Sequence, residues 1–444
     1  MRILHYFLGF PPYRTGGLTK FAFDLMTTQV SDGHEVMALW PGEIKRIGGK
    51  PRIRERKSVH GIKNYELVNP LPVSLDEGIN DFEAYTKPCD EKVYFSFLQS
   101  AKPDVIHIHT LMGMHREFIK AANHLKIRTV MTSHDYFGFC PKVTLYRYGK
   151  CCDNDNGCRN CIQCNLSPLS LRTIQLMQSP LYRMLKNASI VKKLREQHRG
   201  NFFGEEVLPD LPDVNVEGLA EKYRKLRAYY VEMYESIDFI HFNSTVAEEI
   251  YERYMIPKDS KVISITHRGI KDNRENGHIN SDKFRILCLA PAKPFKGFNV
   301  LKEALDQLWD EGNRYFELRI YSPVQNTSPY MVIRKEGYKY EDLSQMMKEA
   351  DIVVAASIWY ETFGFTVVEA LSYAVPVIVS DHMGAKDIVG DSGIVVKAGN
   401  ALELKNSITE LFKNDTIKRN VLKTEVKPWE KLVADMYGLY KGIR

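Results

Sequence analysis

Two glutamates eight residues apart, Glu361 and Glu369, sit in the run S-I-W-Y-E-T-F-G-F-T-V-V-E-A-L-S-Y-A-V-P-V-I-V-S from Ser357 to Ser380. Carboxylates accept hydrogen bonds from hydroxyls, so the pair suits a sugar and a ribose. Between them, Thr362, Phe363, Gly364 and Phe365 lead into a short helix, whose first amides and dipole favour phosphate. Lys293 and Lys296, in L-A-P-A-K-P-F-K-G, add positive charge for a diphosphate. Near the start, F-P-P-Y-R-T-G-G places Gly16 and Gly17 where the lack of side chains lets backbone approach phosphate. His109 and the pair His134-Asp135 stand at the ends of two predicted strands, where open α/β sheets bind ligands. These residue types ask for a nucleotide-sugar held between two domains.

The elements that must position them follow a βα rhythm. Arg2 to Phe7 reads as a buried strand, Leu18 to Val30 as a helix and Val36 to Leu39 as the next strand. Strands are predicted at 104–109, 129–133, 238–243 and 262–265, with Ser244 capping a helix through Tyr254. A second α/β unit is predicted from Phe284, with strands at 285–289, 316–321, 352–355, 375–379 and 394–396. The chain ends in K-P-W-E-K-L-V-A-D-M-Y-G-L-Y, read as a capped amphipathic helix. No G-x-G-x-x-G follows the first strand, which weighs against an ordinary dinucleotide site.

The 444 residues exceed one growing core and suit two domains. The 44% hydrophobic and 26% charged content is that of a soluble protein. No run of 18 apolar residues supports a spanning helix, and the first residues read as a strand, so a cytoplasmic location is the default. The net charge of +6 fits anionic ligands or an anionic membrane face. No zinc-finger, RNP or basic-helix signature accompanies it, so nucleic acid is not expected as a partner.

The combination W-Y-E-T-F-G-F-T-V-V-E-A-L followed by A-V-P-V-I-V-S resembles the retaining glycosyltransferases of family GT4, and the resemblance covers nearly the whole chain. It implies a GT-B fold, in which two Rossmann-like α/β domains face a central cleft. The expected division is 1–266 for the acceptor-side domain, with a Cys-rich and helical insertion at about 136–230. The nucleotide-sugar domain is expected at 267–425, and 426–444 as a helix crossing back. The resemblance also implies transfer of a sugar from a nucleoside diphosphate sugar, UDP-sugar favoured, with retained configuration. Position by position, Glu361 would meet donor sugar hydroxyls and residues 362–365 would offer backbone donors. Glu369 would meet ribose hydroxyls, Gly16 and Gly17 the diphosphate, and His134 the transferred sugar. This chain departs from the family's G-R-L…K-G segment. Lys296 matches the second basic residue, while Lys293 stands offset from the first. It also departs from G-G-x-x-E, where M-G-A-K-D puts Asp387 in the acidic place.

Six of eight cysteines crowd together at 140, 151, 152, 158, 161 and 164. The C-x2-C-x2-C run suggests metal or disulfide chemistry; Cys158, Cys161 and Cys164 with Cys140 or Cys152 could hold a structural zinc. Asp153-Asn154-Asp155 spells D-x-D but is read as a loop feature away from the donor residues, so transfer is expected to need no metal or other cofactor. Arg183, Lys186, Lys192, Lys193, Arg195 and Arg199, beside Leu181, Met184, Leu185, Ile190 and Leu194, suit either a solvated face or a peripheral contact with anionic membrane at its inner face. The acceptor is expected to be a glycan, glycolipid or glycoprotein, glycan or lipid-linked in form. The rival functions are a non-catalytic sugar-nucleotide binder that serves assembly, and a sugar phosphorylase on the same scaffold.

Overall fold

The computed structural model describes residues 1–45, 49–186, 188, 215–413 and 415–442. Two large sheets carry the chain. The first is built from β1 (Arg2–Tyr6), β2 (Glu35–Pro41), β3 (Arg52–Val59), β4 (Ile62–Val68), β5 (Val105–Ile108) and β6 (Arg128–Thr132). A small hairpin, β7 (Tyr146–Arg147) and β8 (Lys150–Cys151), stands apart, and β9 (Phe239–Phe242) and β10 (Ser260–Val262) rejoin the sheet. Its order is β10-β9-β6-β5-β1-β2-β4-β3, parallel except for the β3–β4 pair. The second sheet runs β13-β12-β11-β14-β15-β16, all parallel. Its strands are β11 (Phe284–Cys288), β12 (Phe316–Ile320), β13 (Met331–Ile333), β14 (Ile352–Ala355), β15 (Val377–Ser380) and β16 (Gly393–Val396). Central strands such as β14 and β15 are buried along their whole length, as sheets covered on both faces require. This is the GT-B arrangement of two Rossmann-like units.

Several elements differ from the sequence reading. The β3–β4 hairpin has no counterpart there. Its turn is His60-Gly61, both with positive φ, which replaces the familiar Asn-Gly turn with a less recognisable first residue. β10 begins at Ser260, ahead of the predicted strand, and β13 joins the sheet edge from a segment where no strand is predicted. The long run before β9 forms the Val216–Glu235 helix. Its polar composition hides a buried face of Tyr223, Tyr230 and Tyr234. Their rings fill the core while the hydroxyls donate to the carbonyls of Ile79, Tyr85 and Phe137 at 2.9, 2.8 and 2.6 Å.

The last helix, Trp429–Lys441, has Pro428 at its N-cap and no side-chain cap, against the capped start expected. Its buried residues Trp429, Leu432, Val433, Met436, Leu439 and Tyr440 repeat at helical spacing. They pack with Phe21, Leu25, Val130 and Phe239 against the first sheet. Trp429 Nε1 donates to Thr28 Oγ1 at 2.9 Å and Tyr437 donates to Asp32 at 2.7 Å. The last helix is thereby fixed to the first.

Candidate functional site

Glu361 lies after β14, with Lys296 Nζ 2.9 Å away and Ser357 Oγ donating to the same oxygen at 2.8 Å. Burial would raise the carboxyl's pKa, but Lys296, Ser357 and Trp359 outweigh it and hold it below the ordinary value. Lys296 also lies over the Trp359 ring, 4.6 Å from its centre. Gly297 follows with φ +78°, and a Cβ there would lie 1.7 Å from the Ala356 carbonyl, so only glycine lets the lysine loop seat against the Glu361 loop. Lys293 is the N-cap of the short 3-10 turn Pro294–Lys296. The structure therefore joins Lys296 to the carboxylate and leaves Lys293 at the turn's mouth.

Gly364 is the N-cap of the Phe365–Ser372 helix and no side chain caps that end. The first amides of the helix are thus open to an anion. Glu369 lies in the middle of this helix, past its first turn, and is 7% exposed. Its Oε1 accepts from His267 Nε2 at 3.2 Å, a residue the sequence reading does not select. Gly269 N–H donates to His267 Nδ1 at 3.1 Å, so the proton of a neutral His267 ring sits on Nε2 and points at Glu369.

The first unit meets this helix at its start. The Cβ that Gly17 lacks would lie 3.4 Å from the Phe365 ring, so the glycine loop and the helix face each other closely. Gly16 has φ +112° and opens the Gly17–Ser31 helix. His134 follows β6, and its carbonyl accepts from Thr362 Oγ1 at 3.3 Å. Its ring lies beside Phe21 and stacks on His109 at 5.5 Å, with Nε2 3.4 Å from His109 Nδ1. Desolvation, with a smaller push from His241, lowers its pKa to about 3. Asp135 does not pair with it: Asp135 accepts from the Phe137 amide at 3.0 Å, and burial pushes its carboxyl up to about 6.

More ties cross the cleft. Ser244 Oγ accepts from Ala247 N–H as N-cap of the Thr245–Glu252 helix and donates to the Thr362 carbonyl at 2.6 Å. Asp387 accepts from the Thr245 amide and hydroxyl at 2.7 and 2.6 Å, placing a carboxylate at that helix N-terminus. The cysteine loop joins them. Cys151 Sγ meets the Ile358 carbonyl at 3.0 Å, and Asp153 bonds Tyr360 and Arg253. The D-x-D stretch is therefore not remote from the predicted donor residues: its first aspartate is tied to Tyr360, the neighbour of Glu361. The expectation fails because a separation of 207 residues along the chain says nothing about distance in the fold.

All eight cysteines of the chain are free. In the cysteine loop, Cys158, Cys161 and Asp155 bring ligand atoms within 4.8 Å of one another, and Arg227 pairs with Asp155. Two thiol sulfurs and a carboxylate at that spacing offer three of the four ligands a structural zinc takes. Asp155 takes the place expected for a further cysteine, and Cys140, Cys152 and Cys164 stand outside this group.

A cavity of about 780 Å³ opens where β2 and β4 end, lined by Lys45, Lys50, Leu71, Lys87, Leu171 and Ile174 among others. Nearby, Arg183 is not solvated: it pairs with Glu66 at 3.1 Å and covers Trp40 and Tyr13. Lys186 donates to the Tyr13 carbonyl. These two cations pin the Pro180–Leu185 helix to the glycine loop and leave Leu181 and Met184 outward, 60% and 81% exposed. Lys192, Lys193, Arg195, Arg199, Ile190 and Leu194 lie outside the described residues. No described helix is long and apolar enough to cross a membrane.

Residues 331–429 match the glycosyl transferases group 1 family. A 104-residue stretch, 22% of the chain, is 32% identical to phosphatidyl-myo-inositol mannosyltransferase of Mycobacterium leprae and covers 28% of that protein. Another of 115 residues, 24% of the chain, is 29% identical to O-antigen chain mannosyltransferase B of Escherichia coli and covers 30% of it. The matched parts span less than two thirds of these relatives. The fold as a whole is similar to sucrose-phosphate synthase from Thermosynechococcus elongatus, with TM-score 0.59, 14% identity and coverage of 100% and 98% of the two chains. It is also similar to Anabaena HepE, solved with UDP and glucose, with TM-score 0.54, 14% identity and coverage of 99% of each chain.

Proposed function

We propose that this chain, a GT4-like group 1 glycosyltransferase, moves a sugar from a nucleoside diphosphate sugar to a glycan, glycolipid or glycoprotein acceptor with retention of configuration. The observation that carries the reading is the Glu361–Lys296 pair beside an uncapped helix N-terminus, with Gly17 and His134 opposite. A diphosphate would lie against the amides of Phe365 and its neighbours and against Gly16 and Gly17. Lys296 would turn from Glu361 to the leaving phosphate, and Lys293 would add charge at the turn. Glu361 would then accept from sugar hydroxyls. The free oxygen of Glu369 would accept from a ribose hydroxyl while His267 holds the other.

As the nucleoside diphosphate leaves, negative charge grows on its β-phosphate. Fixed amides and Lys296 stabilise it without reorganising water, and one such donor is worth about 3 kcal/mol. As its bond to the β-phosphate oxygen breaks, the sugar passes through an oxocarbenium-like state, and the acceptor hydroxyl attacks from the face the diphosphate leaves, giving its proton to the departing phosphate oxygen. His134 is too acidic as a cation to hold a proton near neutrality, so it serves as a neutral hydrogen-bonding group beside the sugar. A UDP-sugar is the favoured donor, a reading supported by the likeness of fold to HepE, which was solved with UDP and glucose. Purified protein screened by mass spectrometry against nucleoside diphosphate sugars should bind and slowly hydrolyse one of them. Binding of none would sink the reading.

The acceptor is proposed to enter by the lysine-lined cavity, and Leu181 and Met184 to touch the anionic inner face of a membrane. Vesicles of anionic lipid should bind the protein and lose it on Leu181→Ser with Met184→Ser. We propose that Cys158, Cys161 and Asp155 hold a structural zinc, whose chemistry would be purely to cross-link the loop. Metal analysis without added zinc should find about one equivalent, the count one such site holds, lost in Cys158→Ser.

A further inference from the structure

Five histidines lie beneath the proposed sugar site, and their hydrogen bonds form one chain. His241 Nε2 is 2.7 Å from the Ile263 carbonyl, and its Nδ1 is 3.0 Å from Thr132 Oγ1. Thr132 Oγ1 is 2.8 Å from His107 Nε2, and His107 Nδ1 is 2.7 Å from the Tyr440 hydroxyl. Tyr440 is 3.2 Å from Gln29 Nε2, and Gln29 Oε1 is 2.7 Å from His5 Nε2. His5 Nδ1 is 3.0 Å from His109 Nε2, and His109 Nδ1 is 3.4 Å from His134 Nε2. His5, His107, His109 and His241 are fully buried.

One end sets the direction of every proton. A carbonyl only accepts, so His241 carries its proton on Nε2. A neutral ring then accepts at Nδ1, which makes Thr132 the donor there. Thr132 in turn accepts from His107 Nε2–H, so His107 Nδ1 accepts from Tyr440. With its proton spent, Tyr440 accepts from the Gln29 amide, and Gln29 Oε1 accepts from His5 Nε2–H. His5 Nδ1 accepts from His109 Nε2–H, and His109 Nδ1 accepts from His134 Nε2–H. No contact is left with two protons or none between its partners. Reversing the chain would point a lone pair of His241 at the Ile263 carbonyl, an unfavourable contact in a buried site. Burial holds His5 and His241 neutral, each lowered to about 4.

We infer that this directed chain fixes His134 as the Nε2–H tautomer, and that His109, His5, Gln29 and Tyr440 are positioning residues for it. His134 Nδ1 is thereby left as a lone pair, an acceptor for one hydroxyl of the donor sugar, while its carbonyl is held by Thr362. Tyr440 belongs to the last helix, so docking of that helix on the first sheet completes the chain. The catalytic consequence rests on the transferase reading above; the tautomer assignment does not.

The test is a long-range proton–nitrogen spectrum of the full chain, labelled at histidine nitrogen, near neutral pH. The expected result is the Nε2–H form for all five rings. An Nδ1–H form or a cationic ring at any of them overturns the inference, even where the protein proves to be a good transferase. So does loss of the His5 and His109 ring protons on adding zinc, since these two and His107 offer nitrogens close enough for a metal. The Nε2–H pattern in a protein that accepts no donor would leave the chain standing and remove only its catalytic meaning. Kinetically, His109→Leu should lower kcat about tenfold at unchanged donor KM, the scale of one lost hydrogen bond. His109→Gln, which can accept from His134 and donate to His5, should restore most of it. Equal kcat in the two folded variants, checked by thermal melting, would overturn the positioning role.

Discussion

Mild acid should destabilise this protein through its buried histidines, at a pH where carboxylates near their ordinary pKa are still ionised. His5, His115 and His241 are at most 2% exposed, and burial, the largest cause at each, lowers them from 6.5 to about 4. Folded, they stay neutral down to that value; unfolded, they take up protons below about pH 6.5. Stability is therefore unaffected above about pH 7, falls as the pH drops through 6.5, and stops falling on this account near pH 4. Moving from about pH 7.5 to about pH 5.5 costs roughly 1.3 kcal/mol per ring, or about 4 kcal/mol for three. Asp135, raised to about 6, takes up a proton in the folded state and returns about 1 kcal/mol. From these four groups alone the loss is about 3 kcal/mol, a large share of a domain's stability that corresponds to a fall of roughly 6–12 °C in melting temperature. His107, His109 and His134, lowered further by their burial, add to it in the same direction. Circular dichroism melts across this pH range measure it. A melting temperature flat to within about 2 °C would refute the neutral buried rings.

Other substitutions separate the parts of the site. Lys296→Ala should lower kcat by about 10²–10³-fold, read by product formation, because it removes both Glu361's partner and the proposed donor to the leaving phosphate. Gly17→Ala should be mild, since its new methyl would only touch Phe365, while Gly17→Leu should raise the donor KM at least about tenfold by holding the glycine loop off the helix. Asp387→Ala should remove a helix-terminal contact of about 1 kcal/mol between the two units, seen as greater radius in solution scattering without donor.

Much of the architecture is legible because buried parallel strands write themselves as short apolar runs. At β14, I-V-V-A is apolar throughout, and the predicted bounds 352–355 match the strand. The Glu361–Lys296 contact is not legible, although both residues are: they come from separate strand-to-helix turns, and only the return of β14 beside β11 brings them together. His267 is hidden for the same reason. The histidine chain leaves one trace, the H-x-H spacing of His107 and His109 in and just after β5. A strand turns alternate residues to the same face, so two histidines there invite a common partner. Nothing local announces Tyr440, which meets His107 from 333 residues away. The tyrosine face of the Val216–Glu235 helix escapes notice because the interleaved Glu, Lys and Arg make the run read as polar. Burial uses the tyrosine rings and satisfies their hydroxyls separately.

The two units share one point of control. Thr362 gives its carbonyl to Ser244 and its hydroxyl to the His134 carbonyl, so a single residue beside Glu361 touches both the helix cap after β9 and the end of β6. Gly384 lies against the same place, where a Cβ would come within 2.4 Å of Ser244 Oγ. A rotation of one unit against the other must break these contacts together with the Asp387–Thr245 pair. It must also carry Glu361 and the Phe365–Ser372 helix away from Gly17 and His134. The residues proposed to hold the donor and His134, proposed to face the sugar, are thus brought together by the same contacts that hold the two units against each other. Thr362→Val keeps the size and the backbone carbonyl but loses the hydroxyl's bond to His134. It should therefore lower kcat about tenfold while the Ser244 contact and the fold persist. An unchanged kcat with an intact melting temperature would show that closure is set elsewhere, by the cysteine loop at Tyr360 and Ile358.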